Sequence, residues 1–137
     1  MRAGHVLVVE DDDAIRKLLV EYLREHAPLR VDSARDGAEA LHRVATARYD
    51  VIVLDLLMPY MSGVDVLSSL TVLNADREAI PAVFIVTGAS AEDVPADTLE
   101  RNFGRFVRGV FRKPVELEIL AKCVEEALRK EPEDLPR

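Results

Sequence analysis

The sequence is poor in several residue types, and each shortage excludes a class of protein. Cys123 is the only cysteine in 137 residues, so no disulfide can form within the chain, and no Cys/His group has zinc-ligand spacing. Basic residues number 18 against 25 acidic ones, a net charge of -7 that does not attract nucleic acid or anionic lipid by bulk electrostatics. We therefore expect neither a zinc protein nor a domain that binds DNA directly.

Long apolar runs are also missing. The N-terminal segment MRAGHVLVVEDDD has a short apolar run before it reaches acidic residues, which is too little for a signal peptide or a membrane span. Aromatic residues make up 5% of the chain and apolar residues 49%, so aliphatic side chains must form the core of a single domain. We expect a soluble domain in the reducing cytoplasm, without membrane attachment.

Short apolar segments alternate with amphipathic ones along the chain. The apolar segments predict strands at HVLVV (5–9), LRVDS (29–33), DVIVLD (50–55), AVFIVT (82–87) and RGVFRK (108–113). Helical periodicity predicts helices over 12–26, from about Asp36, over about 64–74, and in a last segment with Leu117, Leu120, Ala121, Val124 and Leu128 on its inner face. Between 88 and 106 the apolar face is thin, but Pro95 followed by ADTLERNF is compatible with a further helix.

The inner faces of the first two helices follow from the same spacing. The predicted set is Ile15, Leu18, Leu19, Tyr22 and Leu23 in the first helix, and Ala38, Leu41 and Ala45 in the second. Strands that alternate with helices predict a parallel sheet covered on both faces. The first, third and fourth strands are apolar and belong in the middle, whereas charges at Arg30, Asp32, Arg108 and Arg112 place the second and fifth at the edges.

Polar side chains cluster where the predicted strands end. Four acids follow the first strand (Glu10, Asp11, Asp12 and Asp13), and the third, fourth and fifth strands end at Asp55, Thr87 and Lys113. Taken singly, each has a plainer explanation, since acids cap helices, an aspartate suits a turn and a lone lysine is usually solvated. Their joint placement favours a site at the carboxyl edge of the sheet, where such folds bind ligands. The opposite edge has no comparable set.

Three converging carboxylates need a counter-charge. If Glu10, Asp11 and Asp55 lie within about 5 Å, each pair repels by about 3 kcal/mol at an effective dielectric constant of about 20. Lys113 supplies one positive charge, and a hard divalent cation with oxygen ligands, such as Mg²⁺, supplies more. Acids, a metal, a hydroxyl and an ammonium around Asp55 predict phosphoryl transfer with that carboxylate as the nucleophile.

The sequence resembles the receiver domain of two-component response regulators over about residues 4 to 130. VLVVEDDDAIRKLL resembles the family's first strand and helix, VIVLDLLMPYMSG its phosphoacceptor strand and loop, VFIVTG its hydroxyl-bearing strand, and FRKP its lysine–cis-proline signature. The resemblance implies a flavodoxin-like, doubly wound α/β fold with five parallel strands in the order 2-1-3-4-5. Residues 131–137, rich in proline and acid, read as a C-terminal tail or the start of a linker.

The resemblance also implies the roles of the site residues. Asp55 would accept a phosphoryl group from the phosphohistidine of a sensor histidine kinase or a phosphotransfer protein, and Thr87 and Lys113 would contact the phosphoryl oxygens. Mg²⁺ would be held by Glu10, Asp11, Asp55 and the main-chain carbonyl of Leu57. Such a domain catalyses only its own phosphotransfer and dephosphorylation, so we expect no enzyme that acts on other substrates.

Signal output is implied on the face formed by the fourth helix, the fifth strand and the fifth helix. This face would bind a partner or output domain, or a second copy of the chain. Many receivers have an aromatic residue three positions before the lysine, whereas this chain has Val110, with Phe111 beside it. The apolar residues Leu57 and Ala89 occupy positions that influence dephosphorylation in the family, so we expect a phosphoryl group that hydrolyses slowly.

Three other classes of protein share parts of the pattern. A receiver-like module that only binds partners would have the same fold, but the complete acid, hydroxyl and ammonium set argues against it. Aspartyl-phosphate hydrolases resemble DxD at the nucleophile, whereas Leu57 leaves no general acid there. A flavodoxin-type cofactor binder needs a Ser/Thr/Gly phosphate loop after the first strand, where this chain has EDDDA.

Overall fold

Strands and helices alternate throughout the computed structural model, which describes residues 4–26, 29–75, 80–88 and 96–129. The elements are β1 Gly4–Val9, α1 Asp13–Arg24, β2 Leu29–Ala34, α2 Gly37–Thr46, β3 Val51–Asp55, α3 Gly63–Leu73, β4 Ala82–Thr87, α4 Ala96–Phe103, β5 Val107–Arg112 and α5 Leu117–Arg129. All five predicted strands are confirmed to within a residue at each end. The helix ADTLERNF is also confirmed as α4, and Pro95 lies outside the described residues.

The five strands form one parallel sheet in the order β2-β1-β3-β4-β5. This confirms the predicted doubly wound, flavodoxin-like order, with the charged strands β2 and β5 at the edges. In β5, Val107 pairs with Val83 and Gly109 pairs with Phe84, so Arg108 is the extra residue of a bulge. A bulge and exposed charge are common ways in which proteins protect an edge strand from pairing with another chain.

Side chains of the central strands alternate between two apolar cores. In β1, Val6 and Val8 pack with Leu19 and Leu23 of α1 and with α5, whereas Leu7 and Val9 pack on the other side, with α2 and α3. Because both faces are covered, β3 is buried along its whole length. None of the described helices combines the length and apolar composition that crossing a membrane requires.

The predicted inner faces of the first two helices need correction. In α2, Ala38 and Ala45 are exposed, and the buried residues are Gly37, Ala40 and Val44. Alanine is small and tolerates both burial and exposure, so its positions did not identify the buried face of this alanine-rich helix. Gly37 is buried in close contact with Met61. In α1, Leu18 is 53% exposed and Val20 is buried instead, because the apolar arc is wider than the contact with the sheet. Leu19 and Leu23 are buried as predicted.

A polar network that was not predicted from the sequence lies near the amino ends of β1 and β3. The ring nitrogens of His5 lie 2.8 Å from Asp32 Oδ2 and 2.9 Å from the Arg48 carbonyl oxygen. The Tyr49 hydroxyl donates to the same Asp32 oxygen at 2.7 Å. Burial and this carboxylate raise the pKa of Tyr49 to about 12. The network ties β1 and β2 to the segment just before β3 with satisfied hydrogen bonds, so its role is structural.

The end of β3 is in close contact with the start of α3. The Gly63 N–H donates to the Leu56 carbonyl at 2.8 Å, and a Cβ on Gly63 would lie 2.6 Å from the main-chain oxygen of Asp55. Ser62 caps α3 in a reciprocal pair with Asp65, which fixes where the helix begins. The helix therefore begins directly against Asp55, the last residue of β3.

We expect Gly63→Ala to lower the free energy of unfolding by about 2 kcal/mol, because backbone atoms that cannot rotate away block the added methyl group. Urea unfolding followed by circular dichroism measures this. Gly88→Ala is the control, since its Cβ would meet nothing closer than 4.0 Å and should change stability by no more than about 0.5 kcal/mol. Equal losses in the two variants would contradict the proposed steric conflict.

Candidate functional site

The predicted site residues lie together at the carboxyl edge of the sheet. Glu10 directly follows β1, Asp55 is the last residue of β3, Thr87 is the last of β4, and Lys113 directly follows β5. The parallel sheet therefore delivers one polar group from each of four neighbouring strands to the same edge. This is the place where open α/β sheets bind ligands.

Three carboxylates form the centre of the site. Oxygens from Glu10, Asp11 and Asp55 all lie within 4.8 Å of one another. Glu10 and Asp55 are 1% and 2% exposed, whereas Asp11 is exposed. The cluster therefore has two acids in the protein interior and a third at its entrance, open to solvent.

The Lys113 ammonium approaches this cluster. Its Nζ lies 2.7 Å from Glu10 Oε1 and 3.5 Å from Asp55 Oδ2. Its main-chain N–H donates to the Thr87 carbonyl at 2.9 Å, and a cis peptide bond joins it to Pro114. Burial acts against the charge of the ammonium, but the contacts with Glu10 and Asp55 outweigh it and raise the pKa of Lys113.

Asp55 is held in an unusual electrostatic state. Burial is the largest cause, and hydrogen bonding to and repulsion from Glu10 add to it, so that the pKa of Asp55 rises to about 7 even though Lys113 opposes the change. Its Oδ1 accepts a hydrogen bond from the Leu57 N–H at 3.2 Å. A carboxylate with a pKa this high responds strongly to any added positive charge, which would drive it to the ionised, nucleophilic form.

The four consecutive acids after β1 have different partners. The Asp12 side chain caps α1 by accepting from the Ile15 N–H at 2.9 Å. Asp13 pairs with Arg16, and this contact holds the pKa of the Asp13 carboxyl below its ordinary value. The capping explanation considered for these acids therefore applies to Asp12, whereas Glu10 and Asp11 turn toward Asp55.

The donor set fits a hard divalent cation. All three carboxylates offer oxygen, and Glu10 Oε1 is a buried atom without a hydrogen-bond partner among the described residues, although the Lys113 ammonium lies beside it. One ammonium against three acid groups leaves room for further positive charge, and Mg²⁺ commonly uses one or two carboxylates and keeps several waters. Glu10, Asp11 and Asp55 are the residues that would hold it, and the Leu57 carbonyl stays a predicted fourth ligand.

Two features of the site were not anticipated. The Arg16 guanidinium donates to the Glu10 main-chain carbonyl at 3.0 Å and also pairs with Asp13. The i, i+3 spacing of Asp13 and Arg16 could have suggested the second contact but not the first. Tyr60, in the loop after Asp55, has a φ of 69° and a fully exposed side chain. Sequence could not reveal this left-handed backbone, because glycine is the usual residue there.

The comparisons with known proteins agree with the geometry. The family model described as the response regulator receiver domain matches residues 6–125. That span is most of the chain, so the chain belongs to the response regulator receiver domain family. The resemblance inferred from the four motifs is therefore confirmed.

Individual relatives place the chain among both signalling proteins and longer regulators. It is 31% identical over 90% of its length to a cyclic di-GMP phosphodiesterase of Thermotoga maritima, but spans only 31% of that protein. The chemotaxis response regulator CheY4 of Vibrio cholerae is 28% identical, with a TM-score of 0.76 over 92% of this chain and 99% of that one. The response regulator TrrA of Thermotoga maritima, solved in complex with Mg²⁺ and BeF, is 26% identical, with a TM-score of 0.73 over 90% and 98%.

The raised pKa of Asp55 predicts a pH-dependent difference in stability between the metal-free wild type and Asp55→Asn. The folded protein has a pKa of about 7 at Asp55 and keeps the proton up to that pH, whereas the unfolded residue loses it near its ordinary pKa of 3.8. The stability that this proton supplies is complete below the unfolded pKa and is lost as pH rises through the folded one. A pKa difference of this size corresponds to at most about 4 kcal/mol.

We therefore expect Asp55→Asn to gain stability relative to wild type as the pH rises from about 4 to about 8. Urea unfolding in the presence of a chelator at several pH values measures the difference in free energy of unfolding between the two proteins. Saturating Mg²⁺ should narrow it by stabilising the wild-type carboxylate. A difference that stays constant across this pH range would show that Asp55 is ionised without help in the folded protein.

Proposed function

We propose that this chain is a phosphoacceptor receiver, which takes a phosphoryl group from a phosphohistidine onto Asp55 and so controls a partner or output domain. The observation that supports this most directly is the meeting of Glu10, Asp11 and Asp55 within 4.8 Å, with the Lys113 ammonium 3.5 Å from Asp55. Asp55 provides the nucleophile, and the other groups compensate the charges that gather around it.

Each residue has a defined part in the proposed reaction. An Asp55 carboxylate oxygen attacks the phosphorus atom of the phosphohistidine, so that an O–P bond forms while the N–P bond breaks and its electron pair stays on the imidazole. Bound Mg²⁺ would supply charge that offsets the phosphoryl oxygens. Lys113 turns its ammonium from Glu10 and Asp55 to a phosphoryl oxygen, and the Thr87 hydroxyl donates to another.

The proposed donor is a sensor histidine kinase or a phosphotransfer protein. The family is one of signalling domains. The similar Thermotoga protein is named as a phosphodiesterase, but the similarity spans only 31% of its length, so that activity is not transferred to this chain. Leu18 in α1, Leu57 after β3 and Ile119 in α5 are apolar and exposed, and all three follow strands that end at the carboxyl edge of the sheet. These are suited to contact a partner that brings its phosphohistidine to Asp55.

The proposed output face consists of α4, β5 and α5. A cavity of about 240 Å³ opens beside β5, lined by Val110, Phe111, Arg112, Pro114, Val115, Glu116 and Ile119. The backbone links this face to the site, because the Lys113 N–H donates to the Thr87 carbonyl and Thr87 pairs with Arg112 in the sheet. A movement of Thr87 toward a phosphoryl group would therefore pull on the end of β5.

Phe111 cannot take the place of the aromatic residue that many receivers have at the position of Val110. Val110 packs against the core formed with α2 and α3, whereas Phe111 packs on the opposite side of the sheet, 6.2 Å from Phe84 between ring centroids. Val110 has no ring that could move between exposed and buried positions, and Phe111 lies on the wrong side of the sheet to supply one. We propose that the main chain of β4 and β5 transmits the signal instead.

Phosphorylation of the isolated chain tests the main proposal. We expect acetyl phosphate with Mg²⁺ to add one phosphoryl group by intact-mass measurement, and Asp55→Asn to abolish the addition, because no carboxylate nucleophile remains. Beryllofluoride with Mg²⁺ should shift amide resonances around Thr87 and Lys113 in the wild type only. A wild-type protein that responds to neither reagent would be a binding module with the receiver fold, and the proposal would fail.

We further expect slow loss of the phosphoryl group, because the Leu57 side chain is apolar and 56% exposed beside the site and cannot position an attacking water. Ala89, the second residue of that prediction, lies outside the described residues. Leu57→Asn should shorten the phosphoryl lifetime severalfold, measured as loss of label from phosphorylated protein. Val72→Asn, an exposed apolar position at the far end of α3, is the control and should leave it unchanged. A wild-type half-life of seconds would contradict the prediction.

A further inference from the structure

Arg16 occupies an unexpected place for a cation. It lies in the fourth position of α1, where the helix dipole favours negative charge, and its side chain is only 14% exposed. A long charged side chain in the first turns of a helix would normally extend into solvent. Here the guanidinium instead points back across the loop that contains the acid cluster.

The contacts of Arg16 span that loop. One terminal nitrogen donates to the Glu10 main-chain carbonyl at 3.0 Å, and the other pairs with the Asp13 carboxylate. These two partners lie on either side of Asp11 and Asp12. The planar guanidinium therefore fixes the distance between the two ends of a four-residue turn, which a flexible ammonium could not do as well.

Further hydrogen bonds fix the turn on either side of Asp11. The Glu10 carboxylate accepts from the Asp12 N–H at 3.2 Å, and the Glu10 N–H donates to the Ala34 carbonyl at 3.0 Å. Asp12 is occupied as the cap of α1. With Asp13 turned away toward Arg16, the turn presents the Asp11 carboxylate to Glu10 and Asp55 against the repulsion between like charges.

We propose that Arg16 is a positioning residue for the divalent cation site: it holds the Glu10–Asp13 turn and keeps the Asp13 carboxylate out of the acid cluster. This inference rests on the proposed function, since it concerns the metal that the phosphoacceptor site would use. Arg16 does not touch the cation itself. It acts through the backbone that aims Glu10 and Asp11, as residues behind metal ligands commonly do.

The sign of the effect separates this role from two simpler ones. Removing a nearby positive charge should tighten the binding of a cation if charge alone mattered. Removing a residue that merely stabilises α1 should lower the melting temperature and leave metal affinity as it was. Loss of a positioning residue should weaken binding, and we expect Arg16→Ala to weaken it about tenfold.

Metal affinity is measured with Mn²⁺ by electron paramagnetic resonance of the free ion, and with Mg²⁺ by calorimetry. Arg24→Ala is the matched control, because Arg24 is in the same helix and its guanidinium also donates to a main-chain carbonyl, that of Val31 at 2.8 Å, with no acid-cluster residue between. It should lose stability without losing affinity. Arg16→Lys keeps the charge without the planar fork, so we expect a smaller loss of affinity, and it serves as the second variant if Arg16→Ala does not fold.

The outcomes for this inference and for the function are distinguishable. If wild-type protein binds neither Mn²⁺ nor Mg²⁺, the metal part of the proposed function fails and the positioning role of Arg16 is overturned with it. If wild type binds and Arg16→Ala binds equally well or more tightly, the function stands and the positioning role of Arg16 is refuted. If Arg24→Ala weakens binding as much as Arg16→Ala, the effect comes from general loss of helix stability and the inference is also refuted.

Discussion

Repulsion among buried carboxylates is the constraint on which the site depends. Glu10 and Asp55 are almost completely buried and lie within 4.8 Å of each other and of Asp11. Such an arrangement destabilises the fold, because each uncompensated pair of carboxylates costs about 3 kcal/mol at an effective dielectric constant of about 20. The Lys113 ammonium offsets part of this cost, and the raised pKa of Asp55 shows that part remains. That remaining cost makes the site responsive to a cation.

The sheet makes this arrangement possible without long loops. Parallel strands end at one edge, so residues that are distant in sequence arrive together once the strand order is set. Each polar group is at or next to a strand terminus, where buried apolar strand gives way to exposed loop. The apolar interior of β3 thus holds Asp55 rigidly, and two separate cores prevent the strand from moving toward either face.

Much of this could be predicted from the sequence, for identifiable reasons. Strand positions were clear because β1, β3 and β4 are uninterrupted apolar segments, and charges on β2 and β5 marked the edges. The site residues followed from their place at the strand ends, and the family motifs supplied the roles that remain predictions, including the Leu57 carbonyl.

The errors have equally specific causes. The buried stripe of α2 was misplaced because alanines occupy several of its faces, and burial of Val20 rather than Leu18 depends on how α1 meets the sheet. The polar network of His5, Asp32 and Tyr49 joins residues from three separate segments that have no local pattern. Sequence spacing could suggest the pair between Asp13 and Arg16, but not the contact of Arg16 with the Glu10 main chain, which depends on the shape of the turn.

The close fit of Gly63 against the end of β3 also bears on how far a change at Asp55 can spread. Gly63, the first residue of α3, lies directly against the Asp55 main chain, and its N–H donates a hydrogen bond to the Leu56 carbonyl. The end of β3 and the start of α3 are therefore in direct main-chain contact. If Asp55 accepts the proposed phosphoryl group, any shift of its main chain must displace the start of α3 or be absorbed in the exposed loop at Tyr60.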